Sequence, residues 1–161
     1  MDKQTVTDIL QDVQNGVVSI DQAVDQLRWQ PVLSLDGFAK IDQHRTLRQN
    51  MPEFIYAEYK TPQQTAEIAL AQSSLNGTVL ISRANDAHYD AVKVLLPAAV
   101  YNATARLITV GQSSIQNKGK VRVVAAGTSD LPVAEEAAGV LRFLGDSVEL
   151  VLDVGVAGLQ R

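Results

Sequence analysis

The stretch VRVVAAGTSDLPVAEEAAGVL, residues 121–141, decides the fold class of this chain. Val121 to Ala126 is a continuous apolar run apart from Arg122, the pattern expected of a strand buried on both faces of a parallel sheet. Gly127, Thr128, Ser129 and Asp130 stop that run. Leu131, Ala134, Ala138 and Leu141, flanked by Val133, Ala137, Val140 and Leu144, then form one broad apolar helix face that Gly145 closes. A second strand follows in SVELVLDV, residues 147–154, so the order is strand, helix, strand with short loops, a βαβ unit. In open parallel sheets ligands sit beyond the carboxyl ends of the strands, and residues 127–130 occupy such an end.

Two uses of that tetrapeptide fit the residue types. Ser129 or Asp130 can cap the helix, a role worth about 1 kcal/mol. The first amides of a helix are also unpaired and face outward, so they make an anion site that Gly127 allows a ligand to approach and that the Thr128 and Ser129 hydroxyls extend. Asp130 can receive hydrogen bonds from ribose hydroxyls. The motif is neither a Walker loop, since the glycine-lysine pair is missing, nor the three-glycine dinucleotide fingerprint. The second strand ends in DVGVAGLQR, which places Gly155, Gly158 and Arg161 after Val154. Two glycine-bearing loops at adjacent strand ends, one with hydroxyls and one with an arginine, favour a phosphorylated ligand over capping alone.

Upstream, residues 1–29 carry two short amphipathic patterns, Val6, Ile9, Leu10 and Val13 before Gly16, then Ile20, Ala23, Val24 and Leu27. They predict a helical hairpin, with Ser19 and Gln22 at capping-box spacing. QPVLSLDG, residues 30–37, reads as a linker. Residues 38–111 alternate strand-like FAKI, FIYAEY, TVLISR and ARLITV with helices starting at Thr61-Pro62 and near Asp86, a small α/β domain. The polar connector 112–120 separates it from the apolar part at 121–161.

Composition narrows the function classes. The 161 residues are 46% hydrophobic and 20% charged, enough for a buried core, and the net charge of −4 attracts neither nucleic acid nor an anionic membrane. The first residues, MDKQTVTDILQDVQNGVV, lack the basic start and apolar core of a secretory signal, and Lys93 and Pro97 break the apolar run at 92–100. A cytoplasmic protein without a membrane partner is expected. With no cysteine, the chain has no disulfide, no cysteine-held zinc and no thiol nucleophile. His44 and His88 show no metal-ligand spacing and suit surface or helix-start positions. Asp42, Arg45, Arg48, Glu53, Glu58 and Lys60 read as a solvated face with weak ion pairs, the alternative being that Arg45, Arg48 or Lys60 reaches a nucleotide or a neighbouring subunit. Trp29 reads as a packing anchor.

GTSDLPVAEEAA followed by DVGVAGLQR resembles the LarB family, whose C-terminal domain is related to the PurE class of aminoimidazole ribonucleotide carboxylases. FAKIDQHRTLRQNMPEFIYAEYKTP and LPAAVYNATARLITVG are similar to that family's N-terminal region, so the resemblance spans nearly the whole chain. It implies a PurE-like (Rossmann-like, flavodoxin-like) parallel sheet beginning at 121, after the small α/β domain. It also implies cytoplasmic action in nickel-pincer nucleotide biosynthesis, the route to the lactate racemase cofactor. The reaction would be carboxylation of the pyridinium ring of nicotinic acid adenine dinucleotide with hydrolysis of its phosphoanhydride, giving pyridinium-3,5-biscarboxylic acid mononucleotide and AMP. Carbon dioxide or bicarbonate is then the co-substrate, with a magnesium ion as a possible cofactor. Gly127, Thr128, Ser129 and Asp130 would form the nucleotide loop, with Gly158, Gln160 and Arg161 completing the substrate contacts. The resemblance further implies a homo-oligomer, an octamer for the full-length protein.

An electron-poor pyridinium ring must first be made nucleophilic before it attacks carbon dioxide, and a thiolate that adds and later leaves suits that task. The family's cysteine belongs to its C-terminal half. The expectation is therefore that this half lies outside the 161 residues and that the chain alone does not carboxylate. Gln160 stands where the PurE-like pattern has histidine, and glutamine donates hydrogen bonds but cannot titrate near neutrality; that removes an acid or base role if histidine serves one there, and changes little if it only binds substrate. The competing reading is a non-catalytic nucleotide-binding or assembly domain, with a purine ribonucleotide carboxylase as a more distant one.

Overall fold

The computed structural model describes residues 3–27, 32–35, 39–42, 51–112 and 119–155. Met1–Glu53 and Phe54–Arg161 each form a compact unit. The architecture is mixed α/β, as the residue patterns predict.

In the first unit, α1 (Lys3–Gln14) and α2 (Ile20–Leu27) form the expected helical hairpin. Gly16, at φ 72°, supplies the left-handed turn between them. Ser19 and Gln22 make both halves of a capping box, at 2.9 and 3.2 Å. Ile9 and Ala23 are the buried residues of the two helices. The linker reading of 30–37 is corrected: β1 (Val32–Leu35) pairs antiparallel with β2 (Ala39–Asp42). Proline and glycine at the ends of that segment mask a short hairpin arm, because β pairing depends on a partner strand that local composition does not display.

The second unit begins with a parallel βαβ turn. β3 (Ile55–Tyr56) leads into α3 (Pro62–Asn76), and β4 (Val79–Ser82) returns beside β3 in register Ile55 to Ile81. The expected strand over FIYAEY contracts to two residues, since the Ala57 amide donates to the Ser82 carbonyl and the chain then turns through a Lys60-to-Ala57 hydrogen bond. Thr61 and Gln64 cap α3 reciprocally, with Pro62 in the first turn. α4 (Asp86–Leu95) starts from a second capping box made by Asn85 and His88. β5 (Val100–Asn102) and β6 (Leu107–Val110) form an antiparallel hairpin, and β6 pairs antiparallel with β4, giving the order β3-β4-β6-β5.

Gly111, at φ 66°, ends β6 against the start of β4: a Cβ there would sit 2.7 Å from the Gly77 carbonyl oxygen. Both the left-handed backbone and the carbonyl contact oppose a side chain. Gly111→Ala is expected to destabilise the protein by about 2 kcal/mol in urea denaturation, whereas Gly16→Ala, with open space around it, carries the backbone cost alone.

β7 (Lys120–Val124), a 3₁₀ turn (Thr128–Asp130), α5 (Leu131–Phe143) and β8 (Ser147–Val151) make the second βαβ unit, with β7 and β8 parallel from Lys120–Ser147 to Val124–Val151. Gly145 ends α5 at φ 92°. The expectation that β7 is buried on both faces is corrected. Its residues alternate between exposed and half-buried, and its open face carries an Arg122–Glu149 ion pair at 2.7 Å. Among the described residues α5 covers one face of this two-stranded ribbon, so only that face is apolar by necessity. α5 also packs on the four-stranded sheet, where Val140 and Phe143, with Phe54, cover buried Leu80, Ala105 and Leu107. Gly139 makes that approach possible: a Cβ there would lie 2.5 Å from Leu107 Cδ1. One flank of α5 stays open, with Val133 57% exposed. No described helix is long and apolar enough to cross a membrane.

Candidate functional site

The Gly127–Asp130 loop begins where β7 ends. Ala125 donates its amide to the Val151 carbonyl and accepts from the Val154 amide, so the chain leaving β7 and the chain leaving β8 run side by side at adjacent carboxyl ends. Gly155 is half-buried beside this edge, and Asp153 adopts φ 55°, a left-handed value that aspartate tolerates. Gly158, Gln160 and Arg161 lie outside the described residues.

The loop does not cap α5 in the ordinary way. Asp130 turns back, its Oδ2 accepting from the Gly127 amide at 3.2 Å, while its own amide donates to the Gly127 carbonyl at 3.0 Å. These two bonds close a one-turn 3₁₀ ring. The amides of Thr128 and Ser129 open that turn and, among the described residues, have no backbone acceptor, and both residues are exposed. Asp130 is exposed as well, and a carboxylate with one hydrogen bond retains acceptor capacity. Both sequence readings thus hold in part: the carboxylate stabilises the turn, and the amides with two hydroxyls remain available to an anion. Gly127 itself is extended (φ −120°, ψ 155°), and a Cβ would meet nothing nearer than 3.6 Å. Its backbone conformation is open to any residue.

A second polar cluster, not foreseen from sequence, lies at the carboxyl ends of β3 and β4. Tyr56 donates its hydroxyl to Glu58, and Lys60 Nζ donates to the Tyr56 carbonyl at 2.7 Å. Arg106 reaches Glu58 at 3.7 Å and donates to the carbonyls of Ala84 and Arg83 at 3.2 and 3.0 Å. The Tyr56 hydroxyl, followed by the two guanidinium charges of Arg106 and Arg83, holds the Glu58 carboxyl below the usual glutamate range, while the same hydrogen bond raises the Tyr56 phenol. Arg83 Nε contacts both Glu136 oxygens, at 3.0 and 2.9 Å. Glu58 is exposed and its ion pair with Arg106 is long, in keeping with a solvated face that carries weak ion pairs, and the hydrogen bonds of Glu58 and Lys60 name their partners.

Arg83 and Arg106 both have left-handed backbones, at φ 57° and 53°. For a long side chain this costs about 1–2 kcal/mol. Arg106 offsets the cost with its two carbonyl hydrogen bonds, which tie its side chain to the neighbouring turn. The Arg83 side chain makes a partly exposed ion pair with Glu136, of a kind worth about 0–1 kcal/mol, and lies within electrostatic reach of Glu58; among the described residues it has no carbonyl hydrogen bonds like those of Arg106. Fold stability alone leaves the arginine at 83 unexplained, since glycine or asparagine adopts that backbone at less cost.

The two clusters share one end of the unit. Ile108 pairs with Ile81, so Leu107, the residue before it on the antiparallel strand, lies toward the carboxyl end of β4, and it is Gly139 of α5 that abuts it. Further along α5, Val140 and Phe143 pack on the cluster of Leu80, Ala105 and Leu107, while Glu136, earlier in α5, reaches Arg83 just beyond the strand. α5 therefore runs antiparallel to β4, and Asp130 projects roughly 9 Å past Glu136 along the helix axis in the direction of the carboxyl ends. Among the described residues no group of three histidines or carboxylates is placed to hold a metal ion. His88 is at the helix start as expected, but buried: Nε2 lies 2.9 Å from the Lys60 carbonyl and the ring belongs to the α4 cap.

Residues 33–112 match the LarB/PurE-like N-terminal domain family. Over 173 aligned positions the chain is 28% identical to an uncharacterized protein of Methanocaldococcus jannaschii, an alignment that takes in 98% of this chain and 64% of that relative.

Proposed function

From the premise that this chain belongs to the LarB family, whose N-terminal domain it carries at residues 33–112, we propose that it forms part of a PurE-like carboxylase acting on a pyridine dinucleotide. The observation that carries the reading is the Gly127–Asp130 turn, with two open amides, two hydroxyls and a carboxylate at the carboxyl ends of a parallel strand pair. In this reading the Thr128 and Ser129 amides and hydroxyls receive the phosphate of the nicotinate nucleotide half, and Asp130 accepts from its ribose. Arg161 adds a guanidinium fork suited to phosphate, with Gly158 and Gln160 beside it. None of the 161 residues is a cysteine, so these residues bind and orient the substrate rather than add to its ring. The substrate is nicotinic acid adenine dinucleotide, carbon dioxide or bicarbonate the co-substrate, and the products pyridinium-3,5-biscarboxylic acid mononucleotide and AMP.

The test uses the protein at its natural length with nicotinic acid adenine dinucleotide, magnesium and bicarbonate, and assays AMP and the biscarboxylated mononucleotide. Absence of both products sinks the reading. Gly127→Ala supplies a finer check. Because residue 127 is extended with room for a Cβ, the variant is expected to melt as the parent does, yet to bind the dinucleotide about tenfold more weakly, the methyl group standing between phosphate and the amides. Equal affinity would mean that no ligand approaches this backbone.

A further inference from the structure

We propose that Arg83, together with the exposed Tyr59 ring, forms a second ligand subsite on the LarB-like domain that takes the 5′-phosphate and base of the AMP half of the dinucleotide. The inference rests on the nucleotide reading of the Gly127–Asp130 turn for its ligand, but on separate residues for its site. Arg83 follows directly on β4, at the carboxyl end of a parallel strand pair, the position at which α/β sheets hold ligands. Its strained backbone has no counterpart in stability, unlike that of Arg106, and uncompensated strain of this sort collects at ligand-binding positions. Its cluster holds two further cations, Arg106 and Lys60, and two carboxylates, Glu58 and Glu136. Tyr59 is 88% exposed and Tyr56 45%, their ring centroids 6.1 Å apart. Tyr59 neighbours Tyr56, and the Arg83 charge acts on the Tyr56 phenol, so the two exposed rings and the guanidinium belong to one cluster, a platform for a base whose phosphate the guanidinium holds. α5 directs the Gly127–Asp130 turn toward this same end, so one dinucleotide can present a phosphate to each cluster.

Glu136 then serves as a placeholder for the ligand's charge on Arg83, and this gives the two partners opposite signs in a binding assay. AMP and nicotinic acid adenine dinucleotide are titrated calorimetrically into the natural-length protein and its Arg83→Gly, Glu136→Gln and Tyr59→Ala variants, with melting temperatures alongside. Arg83→Gly is expected to melt at or above the parent temperature, because glycine accepts the left-handed backbone, and to bind AMP at least tenfold more weakly. Glu136→Gln is expected to bind AMP as well as the parent or several-fold better, and Tyr59→Ala several-fold worse. A purely structural ion pair predicts instead that Arg83→Gly and Glu136→Gln change binding in the same direction; that result overturns the proposal, as does unchanged AMP affinity in Arg83→Gly. Dinucleotide binding that is insensitive to Arg83 but lost on changing Thr128 and Ser129 also overturns it while leaving the proposed function standing. AMP binding that depends on Arg83, with no dinucleotide bound, upholds the subsite and overturns the proposed function.

Discussion

Leu80→Ala is expected to lower the unfolding free energy by about 3 kcal/mol, read as a shift of the urea midpoint at constant slope. Leu80 is 1% exposed on the central strand β4 and sits beneath α5, in contact with the cluster formed by Ala105, Leu107, Phe54, Val140 and Phe143. Truncation to alanine removes the buried methyl groups and leaves a cavity that neither neighbour can fill: β4 is hydrogen-bonded to β3 and β6 on its two sides, and α5 already sits close on the sheet at Gly139, against Leu107. The same face of the sheet supports the helix that bears the candidate nucleotide turn, so the variant should also loosen that turn, seen as faster amide exchange at Ala134 and Ala138. Val133→Ala, on the uncovered flank of α5, is the control and should stay within about 0.5 kcal/mol of the parent. A loss below about 1 kcal/mol for Leu80→Ala would mean that α5 is not seated on the sheet by this cluster.

The Thr128→Ala, Ser129→Ala double variant should bind nicotinic acid adenine dinucleotide about 100-fold more weakly, on the order of 1.5 kcal/mol for each hydroxyl lost from a charged phosphate. Both side chains are exposed, and the turn is closed by Gly127 and Asp130 rather than by these hydroxyls. The melting temperature should therefore move little. The open amides remain in the double variant and retain part of the affinity, so a residual millimolar-to-micromolar interaction is compatible with the proposed site. Unchanged affinity would remove the hydroxyls from it. Loss of affinity together with a large fall in melting temperature would show that they support the turn instead.

Much of the fold is legible in the residue pattern because the relevant interactions are local. The capping pairs Ser19–Gln22 and Thr61–Gln64 form hydrogen bonds within three residues, and Gly145 takes the left-handed value that a helix end requires. The βαβ order of 121–151 follows from two apolar runs flanking one amphipathic helix. Where pairing is remote, the pattern misleads: Val32–Leu35 reads as a linker until Ala39–Asp42 is seen beside it. The periodicity of Val121–Ala126 likewise does not say how many layers cover the strand, and the ribbon's open face with Arg122 and Glu149 came only from the assembled unit.

The chemistry divides in the same way. Residues 127–130 stand out in the sequence because glycine, hydroxyls and a carboxylate at a strand-to-helix junction act through the chain's own nearest amides. The family resemblance, too, is a property of the string of residues, and it holds over 33–112. Only the tertiary structure could pick out Arg83 from the other charged residues. Its ion pair with Glu136 joins residues 53 positions apart, and its carbonyl, at a left-handed backbone, accepts from Arg106 in a hairpin turn 23 positions on. Long-range packing sets both of those, and no local preference of an arginine would announce either.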